Sequence, residues 1–478
     1  MSNIYKAVVS FENQTPPAEL NPLLLKPDFN LRTGIADFSK YFPDPTSLEK
    51  DLIILASTIY ACDLAFKRGE REEITRSIEV TIPVVNFHAF ERLNDQLVQI
   101  LWLLSHDNWI INFTQLKTSE SQEQQREWKQ SVGKTLLFSG GLDSLAGAVD
   151  LMDEFGVEAV QLASHITANP TTRSSQQNLI DYLKNHYKAE PDWVVIRTGG
   201  RKNKGFDFPS DDAREETQRT RSFMFLTIAA LAARRRGKSE LVMIAENGQM
   251  AIHLPLSASR IGAFSTHTAH PEFVHEVGNY FTNLLRFPIE ISNPYLYNTK
   301  AETISKLVKS HSKAVEISVS CWRGSRLSKE YNHCGDCVPC LIRRISTEYG
   351  GLKIHEFARD LLNEDLDKLK TDDEGRRNIS ELAEFAKTFA IFNDADLEFN
   401  YPDLISPFIN QEMAVKMYRR FAQETRAIFS KYPSANKLLG PDISTVAKTT
   451  PQKVKPDDAK KGKSNLKAEP NNKRQKKK

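Results

Sequence analysis

The chain has 478 residues, of which 40% are hydrophobic and 26% charged, with a formal net charge of +3 and five cysteines. That length predicts two or three folded units, and the composition excludes collagen-like, disulfide-knot and membrane-bundle classes. The charge is unevenly shared: residues 441–478 hold 12 Lys/Arg against 4 Asp/Glu, which leaves the first 440 residues at −5 and argues against a generally basic nucleic-acid-binding face.

The opening residues lack the charged lead, apolar middle and small-residue cleavage site of a signal peptide, and the apolar runs are too short or interrupted to cross a membrane. A cytoplasmic protein without a membrane anchor is the expectation. In a reducing compartment, four cysteines within 20 residues favour a metal over disulfides.

In chain order, residues 1–130 read as an N-terminal α+β accessory unit, with a helix over 48–67, a strand over 77–85 in which Ile78, Val80 and Ile82 alternate, and an amphipathic helix over 88–104. Residues 117–131 are polar, a linker or exposed helix. From 131 to 350 strands (135–138, 159–164, 193–197, 240–245) alternate with helices (143–155, 174–187, 219–236), which predicts an α/β domain with a doubly wound parallel sheet. Helices over 354–369, 378–392 and 411–432 make a helical extension of 351–440. The Lys-rich tail of 441–478 is expected to be disordered, a solvated appendage in preference to a nucleic-acid contact.

Phe138-Ser139-Gly140-Gly141-Leu142-Asp143-Ser144 follows a predicted strand and opens a predicted helix. Two glycines let the main chain approach a phosphate, free N–H groups of the first turn point at the anion, and Ser139 and Ser144 add hydroxyls. A Walker A loop would need Gly-Lys-Ser/Thr, which is missing. A plain turn, with Asp143 placed only for the helix dipole, is the alternative; position at the first turn of an α/β domain favours phosphate binding.

Cys321, Cys334, Cys337 and Cys340 have the spacing C-x12-C-x2-C-x2-C, and four thiolates can close a tetrahedral Zn²⁺ shell. A ferredoxin-type iron–sulfur run would need a cysteine where Arg344 stands. His333 is expected beside the site and not in it, and Cys62 in a core.

SGGLDS is similar to the SGGxDS signature of the PP-loop ATP pyrophosphatases, whose fold is that of the adenine nucleotide alpha hydrolases. The resemblance implies ATP cleavage between its α and β phosphates, with Phe138, Ser139, Gly140, Gly141, Leu142, Asp143, Ser144 and Leu145 around the nucleotide and Asp143 placing Mg²⁺. With a cysteine cluster about 180 residues later, the chain resembles the 7-cyano-7-deazaguanine synthase (QueC) family over residues 134–346. Arg221 with its apolar helix, Ala245-Glu246-Asn247-Gly248, Asn293-Pro294, Thr299-Lys300-Ala301-Glu302 and Ser320-Cys321-Trp322 align in order. By that resemblance Asp143, Ser144, Lys300 and Arg221 would be catalytic, and Glu246 and Asn247 would meet the substrate.

The family's Tyr-Pro-Asp-Cys-type substrate loop is replaced by residues 257–273, where Arg260, Thr266 and His270 are candidate substrate ligands unless the segment is a surface loop capping the next helix. This replacement and the added flanks resemble the enlarged QueC-like proteins of bacterial anti-phage gene clusters such as the Qat system. What that implies is adenylation of a 7-deazaguanine carboxylate, then acyl transfer to a nitrogen nucleophile on a partner protein of the same defence system. A housekeeping 7-cyano-7-deazaguanine synthase of queuosine biosynthesis and a tRNA-modifying PP-loop enzyme are the alternatives.

Overall fold

Ile78, Val80 and Ile82 are fully enclosed in the computed structural model, as an alternating strand with one face on a core requires. The structure describes residues 4–11, 22–69, 75–117, 133–166, 170–203, 205–237, 242–257, 268–323, 327, 330–355 and 357–440. The polar stretch after residue 117 and the basic tail therefore lie outside the described residues. Among the described residues no helix is long and apolar enough to cross a membrane.

The N-terminal layer contains β1 (Ile4–Val9), β2 (Leu23–Leu25), β3 (Ser77–Val84) and β4 (Asn108–Gln115), in the order β2-β1-β3-β4. All of these pairings are parallel, so its mixture of helix and strand takes the form of crossovers, not hairpins. β4 is missing from the sequence-based expectation, although Trp109, Ile111 and Phe113 alternate and are buried. The helix expected over residues 88–104 is two helices, Phe87–Glu91 and α2 (Asn94–Ser105), preceded in the chain by α1 (Ser47–Ala65). Asn94 donates to the Ile111 carbonyl at 2.9 Å, which ties the start of α2 to β4 and accounts for the break.

The second layer is built from β5 (Lys134–Leu137), α3 (Leu142–Phe155), β6 (Val160–His165), α4 (Pro170–Tyr187), β7 (Asp192–Ile196), α5 (Arg221–Arg236), β8 (Val242–Met243), α6 (Pro271–Leu285) and β9 (Ile291–Ser292). Its strands run in the order β9-β8-β5-β6-β7, all parallel, which is the doubly wound sheet expected. Alternate strand residues feed two cores: Leu162 and Met243 join α3 and α4, whereas Ala163 and Val242 join α5 and α6. That second core also takes in α1 and the N-terminal sheet, which explains why α1 is buried all round.

A third core gathers α7 (Val338–Tyr349), α8 (Glu374–Ile391), α9 (Gln411–Phe429) and the short helix Pro433–Leu439. Among the described residues of 354–369 there is no α-helix, contrary to the expectation; only single 3-10 turns at Leu361–Asn363 and Leu366–Lys368 occur there. The backbone is committed elsewhere: Ala358 N–H donates to the His333 carbonyl at 2.9 Å and Arg359 N–H to the Cys334 carbonyl at 3.0 Å, so the segment straps the cysteine loop. The described residues through Leu439 form one compact unit.

Candidate active site

β5 and β8 are neighbours, yet the chain leaves β5 for β6 on one side and β8 for β9 on the other. At the carboxyl ends of such a pair the crossovers part and leave a crevice, where α/β sheets bind ligands. The Ser-Gly-Gly loop follows β5 and Glu246 and Asn247 follow β8, so both open onto that place.

Gly140 has φ of +84°, and a Cβ there would lie 2.9 Å from the Gln176 side chain, so the turn is restricted to glycine. Its carbonyl accepts from the Ser175 hydroxyl at 3.0 Å and from Val319 N–H at 3.1 Å. The first intrahelical bond of α3 runs from Leu145 N–H to the Gly141 carbonyl at 3.0 Å. The N–H groups of Leu142, Asp143 and Ser144 therefore have no acceptor within the helix, as an anion cradle requires. Ser139 and Ser144 hydroxyls sit 3.2 Å apart beside them. Phe138, Leu142 and Leu145 are core residues and hold the loop from beneath. One turn on, a Cβ at Gly147 would come within 2.7 Å of the Ala245 Cβ, and this close packing draws α3 to the chain leaving β8.

The charged centre results from that approach. Lys300 pairs with the Asp143 carboxylate, the side chains being 9% and 10% exposed. Asn247 Nδ2 donates to Asp143 Oδ2 at 3.2 Å and to Glu246 Oε1 at 3.1 Å. Asp143 Oδ1 is buried and has no hydrogen-bond partner among the described residues. Burial, followed by the Asp143 carboxylate, pushes the Glu246 carboxyl well above the usual range, and Lys300 opposes this. Lys300 opens the short helix Lys300–Thr303, whose capping box joins the Thr299 hydroxyl to Glu302 N–H at 3.1 Å and Thr299 N–H to the Glu302 carboxylate at 2.8 Å.

A small cleft adjoins the same loop, lined by Phe138, Ser139, His165, Gln176, Arg221 and Phe225 among others. Arg221 lies here, 4.9 Å over the Phe225 ring, whereas Lys300 pairs with Asp143. Burial, then the Arg221 charge, push the His165 imidazole down to about 3, so it is neutral. Its Nε2 lies 3.2 Å from Thr198 N–H and 3.4 Å from the Thr198 carbonyl. His165 Nδ1 and Gln176 Oε1 are buried without partners among the described residues. Neither residue belongs to the expected site; the available signal is that His165 ends β6 at the ligand-binding edge of the sheet. His270 stands buried at the N-cap of α6 and does not line this cleft, while Arg260 and Thr266 lie outside the described residues.

The four predicted cysteines do converge. Their sulfurs all lie within 4.8 Å of one another and all are buried. Cys334, then Cys337 and Cys340, hold the Cys321 thiol far below its usual value, while Cys321 drives the Cys337 thiol up. Four such sulfurs cannot share their protons evenly, and a soft cation would resolve the conflict. Arg323 N–H donates to Cys321 Sγ at 3.3 Å and Cys337 N–H to Cys334 Sγ at 3.4 Å, as in a thiolate metal centre. His333 is outside the set, its Nε2 accepting from Ser320 N–H at 3.2 Å. The cluster also braces the phosphate loop, because Val319, which holds the Gly140 carbonyl, is two residues before Cys321.

No curated protein matches the chain closely enough to count as a relative. Residues 200–349 match the family model described as queuosine biosynthesis protein QueC, a stretch that begins after the Ser-Gly-Gly loop and includes Arg221, Glu246, Asn247, Lys300 and all four cysteines. Over those residues the chain is QueC-like.

Proposed function

We propose that this chain uses ATP to adenylate the carboxylate of a 7-deazaguanine and then transfers the acyl group to a nitrogen nucleophile, an amine of a partner protein, in cytoplasmic anti-phage defence. The observation that carries this reading is the meeting of Asp143, Glu246, Asn247 and Lys300 beside a main-chain phosphate cradle, with three of the four inside the QueC-like stretch.

In this reading the N–H groups after Gly141 and the Ser139 and Ser144 hydroxyls hold the pyrophosphate end of ATP. His165 Nδ1 and Gln176 Oε1 meet a polar edge of its base, and Phe225 packs against the ring. The unpartnered Asp143 Oδ1 beside a second carboxyl fits a Mg²⁺ ligand set, and the ion, when bound, would neutralise charge on the leaving group. Lys300 lies where negative charge grows on the α-phosphate. The substrate carboxylate oxygen attacks the α-phosphorus and displaces pyrophosphate; the amine then attacks the acyl carbon, and AMP leaves with the former carboxylate oxygen. Glu246, its carboxyl raised by burial, is suited to take the proton that the amine sheds. The cysteine cluster would hold Zn²⁺ away from the reaction, fixing residues 317–321 and through them Gly140.

The family description favours a second reading, a 7-cyano-7-deazaguanine synthase in which ammonia is the nucleophile. Incubation with ATP, Mg²⁺ and 7-carboxy-7-deazaguanine should yield AMP and pyrophosphate; no AMP with any deazapurine refutes the adenylation. A mass gain on candidate partner proteins supports acyl transfer to protein, and unchanged masses with a cyano product support the synthase.

A further inference from the structure

The buried face of α9 is apolar, with Ala414, Met417, Tyr418, Phe421 and Ile428, except at Thr425 and at Glu424, the one acid, which is only 3% exposed. This carboxyl has no ion-pair partner among the described residues; Arg420, one turn earlier, bonds Glu302 at 2.6 Å and the Tyr297 carbonyl at 2.7 Å. Glu424 Oε1 accepts from the Thr299 hydroxyl at 2.6 Å, and Oε2 has no partner among the described residues. A half-satisfied buried acid is costly to a core and needs another reason to be there.

Thr299 supplies the reason. A hydroxyl carries one proton, and since Glu424 takes it, a lone pair is aimed at Glu302 N–H, which closes the cap of the helix that Lys300 begins. Arg420 holds the other half of the same capping box, so one turn of α9 grips both halves. We propose that Glu424 is a positioning residue that acts through Thr299 to set Lys300 against Asp143, making the helical extension part of the adenylation site. The catalytic part of this rests on the reaction proposed above; the geometric part does not.

Burial pushes the Glu424 carboxyl from 4.5 up to about 7, with Thr299 and Arg420 opposing and Glu302 adding to the shift. The folded form thus takes the proton first, and stability falls as pH rises from 4.5 to about 7. Replacing this acid should raise the melting temperature at pH 8, where a group with a merely structural role would lower it.

The full-length chain with Glu424→Leu and Glu424→Gln tests the idea. Glu424→Leu should melt no lower than the parent at pH 8, yet its Lys300 should react roughly tenfold faster with an amine-directed reagent, read by peptide mass spectrometry, as a buried pair loosens. Its kcat for AMP release should fall about tenfold with KM for ATP unchanged, and Glu424→Gln, which keeps an acceptor for Thr299, should restore both to within about twofold. Unchanged Lys300 labelling in Glu424→Leu overturns the proposal, as does faster labelling that is matched at every other lysine. Should Glu424→Leu not fold, Thr299→Val must show the same selective labelling of Lys300, and its absence overturns the proposal equally. Labelling needs no substrate, so a parent chain that makes no AMP defeats the reaction and leaves the positioning claim to its own result.

Discussion

Among the buried clusters of acids and bases in the described residues, two are completed to different degrees. In the N-terminal layer Asp63 and Asp107 face Arg68 and Arg76, and every carboxylate oxygen is used: Asp63 Oδ2 takes Thr220 N–H at 2.9 Å, Asp107 Oδ1 takes Arg76 N–H at 3.0 Å, and the remaining two oxygens take guanidinium donors. At the sheet's carboxyl edge Asp143 shares one Lys300 with Glu246 and leaves Oδ1 open. A cluster with saturated carboxylates joins layers, whereas one with an open carboxylate oxygen is arranged for something that arrives later. The saturated cluster still bears on the site, since Thr220 immediately precedes Arg221 and α5.

Substitutions can break or sharpen this contrast. Asp143→Ala should cut AMP release by about a thousandfold or more, while the melting temperature moves by no more than about 3 °C; retained turnover would remove Asp143 from the chemistry. Asp107→Ala should do the opposite, costing about 3–5 kcal/mol in denaturant unfolding because two buried guanidinium groups each lose one carboxylate partner, with the specific activity of the folded fraction preserved. Cys337→Ser should lose bound metal and thermal stability together, by elemental analysis and melting; full stability in the metal-free variant would make the cluster incidental.

The smallest effect is a pH dependence. His165 is held at about 3 in the fold against 6.5 ordinarily, so protons favour the unfolded chain, and stability present above 6.5 is lost as pH falls toward 3. The slope is at most about 1.4 kcal/mol per pH unit. His333, held at about 2 by burial, adds a slope of the same sign. His165→Gln should flatten the acid side of the stability curve, and an unchanged curve contradicts the burial argument.

Much of the sheet was legible because its strands and helices change hydrophobic period at the right lengths, and the loop and cysteines because their chemistry is local in the chain. β4 was harder, since Trp109 to Phe113 follow an apolar helix with little between them. Residues 354–369 have a helix-like apolar pattern, but the N–H groups of Ala358 and Arg359 go to the cysteine loop, a long-range commitment that periodicity does not record. The meeting of Lys300 with Asp143, and of Glu424 with Thr299, depends on segments 157 and 125 residues apart. His165 and Gln176 carry no motif at all, and only the cleft identifies them.

The central claim is that a substrate carboxylate attacks the α-phosphate of ATP. Supplying 7-carboxy-7-deazaguanine with ¹⁸O in its carboxylate, together with ATP and Mg²⁺, and measuring the mass of the released AMP tests this directly. Attack by the carboxylate gives AMP carrying one ¹⁸O and unlabelled pyrophosphate. Unlabelled AMP, or ADP with inorganic phosphate, would contradict it.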